Sequence, residues 1–259
     1  VAATDVNDQR CIWGNAGSNY GAKIDISAPG GRSSNDSNTI GIYSTMPLDN
    51  EFTLHLPPFN YPNTFAALSG TSMASPHVAG VAALILSQFP NMSVYEVKQR
   101  LLGSSDYIYD SNPEYIGKLG SGRLNAYKAL TQTPIPNITL DRFTCNLNQS
   151  EWLLTDVQNT IEIKLKNWWA EAQNVLGTLT TSDPNVQIQY GGTNLPFTSW
   201  GNIQTFESKE NQYNIRVYVT GEQRTIEFML NITLTNGQSR SIPIAFNVRK
   251  SFGTANFTL

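Results

Sequence analysis

The stretch LSGTSMASPHVAGVAALIL, residues 68–86, changes character along its length. Its first half gathers Gly70, Thr71, Ser72 and Met73, and Pro76 then enters an otherwise helix-forming run. Proline is accommodated in a helix only near the start, where its missing N–H removes little, so the helix is predicted to begin at about Thr71 or Ser72. From Val78 to Leu86 the side chains are small or aliphatic on all sides, which predicts a helix buried all round. A membrane span needs roughly 20 such residues, and this run is too short. A serine in the first turn sits among unpaired backbone N–H groups at the positive end of the helix dipole, where negative charge is stabilised. Its own N–H is then placed to hold an oxyanion, and Gly70 leaves room for a ligand to approach the backbone. Position alone also allows an ordinary N-cap serine.

Gly70-Thr71-Ser72-Met73-Ala74-Ser75-Pro76-His77-Val78-Ala79-Gly80 resembles the nucleophile motif of the subtilisin-like serine proteases. Two further blocks resemble the same family in the same order. Upstream, Ser18-Asn19-Tyr20-Gly21 and Ile24-Asp25-Ile26-Ser27-Ala28-Pro29-Gly30 are similar to its strand and Ala-Pro-Gly turn; downstream, Gly120-Ser121-Gly122-Arg123-Leu124-Asn125-Ala126 is similar to its closing segment. The resemblance covers about residues 1–130. It implies part of a three-layer α/β domain with a mostly parallel sheet, in which Ser72 is the nucleophile of peptide-bond hydrolysis through an acyl-enzyme. Gly70 and Thr71 would bind the polypeptide substrate.

A serine hydroxyl needs a base, ordinarily a histidine oriented by an aspartate. The family places these in the order Asp, His, Ser, yet no Asp-Thr-Gly, Asp-Ser-Gly or His-Gly-Thr occurs in the chain. His77 follows Ser72 by five residues, about 140° round the helix, and matches a structural histidine of the family. His55, in Leu54-His55-Leu56-Pro57-Pro58, lies in a proline-bounded loop without the context of the family's base. Trp13-Gly14-Asn15-Ala16-Gly17 has the letters of the family's oxyanion motif but the wrong place in the order, so Asn15 is read as a surface turn. These absences, with a first residue Val1, are read as a chain that starts inside a catalytic domain. Its partner would be the missing N-terminal part of that domain, and the chain alone would be inactive. The alternative is a non-catalytic binding or adhesion module derived from a degenerate protease.

With 259 residues there is room for two domains, and a charged fraction of 14% beside abundant Asn, Ser, Thr and Gly leans towards a secreted protein. A net charge of −3 without a basic cluster gives no reason to expect nucleic acid as a partner. Cys11 and Cys145 fall in different halves without metal spacing and are read as buried or free thiols. Asp25 matches a position that in some relatives helps bind a weak cation, but Lys23 stands beside it. No metal and no cofactor are expected.

After the first helix, Ser93-Val94-Tyr95-Glu96 is a capping box, with Val94, Val97 and Leu101 on one face. A short helix is predicted over Asn125–Leu130, and residues 131–137, carrying Pro134 and Pro136, read as a linker. Beyond it the period becomes two: Ile161, Ile163 and Leu165 alternate with Glu162, Lys164 and Lys166, and two later runs, residues 228–234 and 242–248, behave alike. With strands near 138–145, 172–180, 186–190 and 213–219, about seven strands predict an antiparallel β-sandwich over residues 138–259. The segment from Leu165-Lys166-Asn167 to Thr181-Ser182-Asp183-Pro184 resembles the immunoglobulin-like modules appended to secreted bacterial proteases. Trp168-Trp169 is the one feature there that could carry binding, because continued alternation would expose one ring; otherwise the pair is read as packing against the protease domain or plugging one end of the sandwich.

Overall fold

The computed structural model describes residues 1–31, 41–45, 65–146, 152–191 and 195–251. The chain forms two compact units, Val1–Pro134 and Ile135–Leu259.

In the first unit, β1 (Ala2–Thr4) pairs in parallel with β4 (Ser27–Pro29), with Ala2 opposite Ser27 and Thr4 opposite Pro29. Ala2, Ala3 and Ala28 are fully buried. Small side chains there let α1 (Thr71–Gln88) lie against both strands. Between the strands, β2 (Ile12–Trp13) and β3 (Ala16–Gly17) make a two-stranded hairpin whose tip holds Gly14, at φ 59°, and the exposed Asn15. A second hairpin joins β5 (Ile42–Thr45) to β6 (Phe65–Leu68) and leads directly into α1. His55 lies outside the described residues.

The sequence predicts α1 buried all round, and the structure corrects this. Ala74, Val81 and Ile85 are buried, whereas Leu84 and Leu86 are 50% and 44% exposed. The reason is geometric: β1, β4, α2 (Val94–Gly103) and α3 (Ala126–Thr131) contact α1 and cover only one side of its cylinder. In α2 the capping box forms as read, Ser93 Oγ accepting from Glu96 N–H while Glu96 accepts from Ser93 N–H. Val97 and Leu101 face inward, but Val94, at the first helical position, is 87% exposed. Gly122, at φ 131°, brings the chain so close to Asp106 that a Cβ would overlap its carbonyl oxygen. That approach lets Arg123 bridge both Ser27 and Asp106.

The second unit holds two sheets. One runs β12 (Thr198–Ile203), β10 (Ala172–Thr180), β15 (Thr225–Thr233), β16 (Ser239–Arg249) and β8 (Trp152–Leu154). The other runs β11 (Val186–Tyr190), β14 (Ile215–Val219), β9 (Gln158–Asn167) and β13 (Ser208–Glu210), and β7 (Ile138–Cys145) pairs β9 along its other edge. All pairings are antiparallel except β8 with β16. The apolar alternation of β9 points Ile161, Ile163 and Leu165 inward at 0% exposure. Across the interior, Phe143 of one sheet meets Phe246 of the other edge-to-face at 5.0 Å. The Trp200 indole N–H donates to Ile163 O at 3.0 Å from the facing sheet. Two asparagines close the ends of β9 at full burial. Asn159 exchanges two 2.8 Å bonds with the backbone of Leu154, and Asn167 donates to Ala170 O and Ile203 O. Satisfying every buried amide in this way fixes the loops to the sheet instead of leaving a desolvation penalty.

Trp168 and Trp169 are only 4% and 3% exposed, so the pair is packed and neither ring is offered for binding. Alternation stops at Asn167, where the chain turns, and both rings fold inward. The Trp168 indole donates to Thr139 Oγ1 at 2.7 Å, and the Lys166 ammonium lies 3.9 Å from its ring centre.

Candidate functional site

Ser72 is the second residue of α1. The N-cap is Gly70, in extended conformation and without a capping side chain, so Ser72 is not spent as an N-cap. Met73 N–H and Ala74 N–H both turn back to Gly70 O, at 2.9 and 3.3 Å. Among the described residues the N–H groups of Thr71 and Ser72 find no acceptor, as the first turn of a helix dictates. Pro76, four residues on, has no N–H to return to Ser72 O. The head of α1 therefore presents an exposed hydroxyl beside two outward N–H groups at the positive end of an 18-residue helix.

That hydroxyl lies on the wall of a groove of about 780 Å³ between the β5–β6 hairpin and the outward side of α1. Tyr43 and Leu68 line one wall, and Met73, His77 and Leu84 the other. Gly70 and Thr71, both half-buried, immediately precede Ser72. His77 shares the groove, but its Nδ1 donates to Met73 O at 2.8 Å, one turn back along its own helix. A carbonyl can only accept, so this bond fixes the ring tautomer and ties it to the backbone. Asn15 sits exposed at the tip of the β2–β3 hairpin. Asp25 forms a 3.5 Å ion pair with Lys98, both about half exposed. Among the described residues no group of three or more His, Cys, Asp or Glu side chains gathers as a metal cluster.

A carboxylate network outside the groove, unread in the sequence, fixes the closing segment. Asp106 accepts from Arg123 at 2.5 Å, Asn125 at 2.9 Å and Lys128 at 2.6 Å, and Arg123 also pairs with Asp8 at 2.6 Å. Burial pushes the Asp106 carboxyl upward, but the hydrogen bonds from Lys128, Asn125 and Arg123 outweigh it and hold the group below its ordinary range. Single acidic residues spaced this far from their partners in sequence carry no local pattern, so only the fold reveals them. Cys11 and Cys145 are both buried free thiols, one in each unit, and burial pushes both up to about 12. Asn137, the first residue of the Asn-Ile-Thr tripeptide at 137–139, is 8% exposed, its oxygen accepting from Arg240. No described helix is long and apolar enough to cross a membrane.

Comparison with known proteins bears on the same region. Subtilisin DY of Bacillus licheniformis is 38% identical over 118 residues, 46% of this chain and 32% of that protein. Thermitase of Thermoactinomyces vulgaris is 36% identical over 130 residues, 50% of this chain and 35% of that protein. The chain thus spans about a third of the length of these relatives. Among solved structures, AvmM, which catalyzes macrocyclization in alchivemycin A biosynthesis, covers 46% of this chain and 92% of its own at 8% identity and a TM-score of 0.30, a likeness that carries no argument. The model of the subtilase family matches residues 1–132, the unit that contains β1, β4 and the α1 groove, and the chain belongs to that family.

Proposed function

We propose that this chain is the nucleophile-bearing part of a secreted subtilisin-like serine endopeptidase, with Ser72 as the attacking group and Gly70 and Thr71 beside it in contact with the polypeptide substrate. The observation that carries this reading is the placement of Ser72 at the second position of α1, exposed on a groove wall with its own N–H unpartnered among the described residues. A tetrahedral oxyanion formed there would meet that N–H and the helix dipole. General base and second oxyanion donor would come from polypeptide carrying the family's Asp, His and Asn motifs, because His77 is tied to Met73. Residues 138–259 are proposed as an immunoglobulin-like accessory domain, joined through residues 131–137. The two-sheet arrangement with inward alternation supports that reading.

Incubation with a fluorophosphonate probe and a casein substrate tests the assignment. The 259-residue chain alone is expected neither to be labelled nor to turn over casein, since a triad acts as a unit. Fused behind the Asp- and His-bearing part of thermitase, it should be labelled at Ser72, and Ser72→Ala should remove both label and turnover. A folded fusion that is never labelled would favour the alternative, a non-catalytic binding module.

A further inference from the structure

Beneath the start of α1 the backbone makes a three-way junction at Gly30–Gly31. Gly30 N–H donates to Thr4 O at 2.9 Å, at the end of β1, and Gly30 O accepts from Gly70 N–H at 2.7 Å. Gly31 O accepts from the Cys11 thiol at 3.4 Å, and Cys11 is fully buried. Cys11 is itself held on both sides of its backbone, its N–H donating to Ala3 O at 3.0 Å and its carbonyl accepting from Ser18 N–H at 2.9 Å. The fit around the turn is tight. A Cβ on Gly30 would overlap the Ala3 methyl and stand 3.1 Å from Gly70 O. One on Gly31 would lie 2.6 Å from Ser69 Oγ, at a φ of 106° that side-chain-bearing residues rarely adopt.

Gly70 caps α1 and Ser72 follows two residues later, so the Gly70 N–H bond to Gly30 O carries the location of this turn to Ser72. We propose that the Gly30–Gly31 turn, braced from below by the Cys11 thiol, is the device that sets the position of Ser72 at the head of the groove, with Cys11 a positioning residue acting through Gly31 and Gly70. The functional value of the device rests on Ser72 as the reacting group, but the mechanical link does not. A thiol suits the place. Burial first, then the nearby Asp5 carboxylate, push its ionisation up to about 12, so it stays a protonated donor at any working pH. The thiol itself therefore brings no charge to the turn.

Amide hydrogen exchange on the full chain, resolved by residue, reads the link at Gly70 N–H, with the Val97–Leu101 amides of α2 as internal reference. Cys11→Ala removes the donor, and the loss of one modest hydrogen bond should speed Gly70 exchange about fivefold while leaving α2 unchanged. Cys11→Ser keeps a donor and should hold Gly70 near the parent rate. Gly31→Ala keeps the thiol donor but strains the turn from the opposite side, against Leu68 and Ser69, and should reproduce the local acceleration. Unchanged Gly70 exchange in Cys11→Ala would overturn the proposal. So would an equal acceleration at Gly70 and in α2, which is the mark of a merely structural residue, or a Cys11→Ser variant that behaves like Cys11→Ala. Because exchange is independent of chemistry, absent fluorophosphonate labelling would count against Ser72 as nucleophile and leave the bracing result standing.

Discussion

Gly80 lies in the interior of α1 on its outward side, and a Cβ built there meets nothing within 4 Å. A glycine inside a helix costs about 0.5–1 kcal/mol relative to alanine, because the unfolded chain has more freedom to lose. With no steric opposition, Gly80→Ala should stabilise the first unit by about 0.5–1 kcal/mol. The contrast is Gly30→Ala, whose methyl would overlap that of Ala3 between β1 and the head of α1. Overpacking of this kind costs about 1–3 kcal/mol or more. Urea unfolding followed by ellipticity at the helical band measures both, since all three described α-helices lie within residues 1–134 and dominate the change in that signal when the first unit unfolds. A loss of about 1 kcal/mol or more in Gly80→Ala would refute the description of α1 as covered on one side only, because it would require an atom packed where open space is described. Sedimentation at several concentrations would then tell whether a second copy supplies it. A Gly30→Ala variant as stable as the parent would refute the close approach of β1 to α1.

The Asp106 network carries a pH dependence whose direction follows from its depressed carboxyl: the stabilisation is present above the ordinary value of 3.8 and is lost as pH falls through the lower folded value. Helix ellipticity of the first unit should therefore fall in acid below about pH 4, and Asp106→Asn should lose about 2–3 kcal/mol near neutrality and flatten that acid limb; an unchanged acid profile in the variant would remove Asp106 as its cause. Trp200→Ala should cost the second unit about 3–5 kcal/mol, since the ring is fully buried and its N–H closes a bond to the facing sheet, and a loss under about 1 kcal/mol by near-ultraviolet unfolding would show that the two sheets do not close over it. Cys11 and Cys145, buried and with ionisation pushed up to about 12, should react with an aromatic disulfide reagent only after denaturant is added, and a fast-reacting equivalent in the native chain would contradict the burial of one of them.

Local pattern made much of this fold legible, and the places where it failed share a cause. Strands β9, β15 and β16 lie where period-two alternation puts them, because each has one face that must leave water. β12 was invisible: Thr198, Ser199 and Trp200 are all buried in succession, and no alternation survives in such a run. β8 is three residues long and gains its place by pairing in parallel with Asn247–Arg249, nearly a hundred residues away. The β5–β6 hairpin joins strands whose ends are separated by residues 46–64, far beyond the loop lengths that signal a hairpin. In each case the deciding contact is distant in sequence, and periodicity cannot report it. For the site the division is similar. The place of Ser72 in the first turn of α1 is legible because glycine, serine and an early proline define a helix head by local stereochemistry, and the resemblance to a nucleophile motif lies in consecutive residues. What holds that head in place is not: Cys11, Gly31 and Gly70 meet across nearly sixty residues. The all-round apolarity of α1 is likewise a fact of composition and not of burial. A sequence records which faces of a helix avoid water, whereas coverage is a property of what packs against it, and here β1, β4, α2 and α3 cover one side and leave the other as the wall of the groove that Ser72 heads.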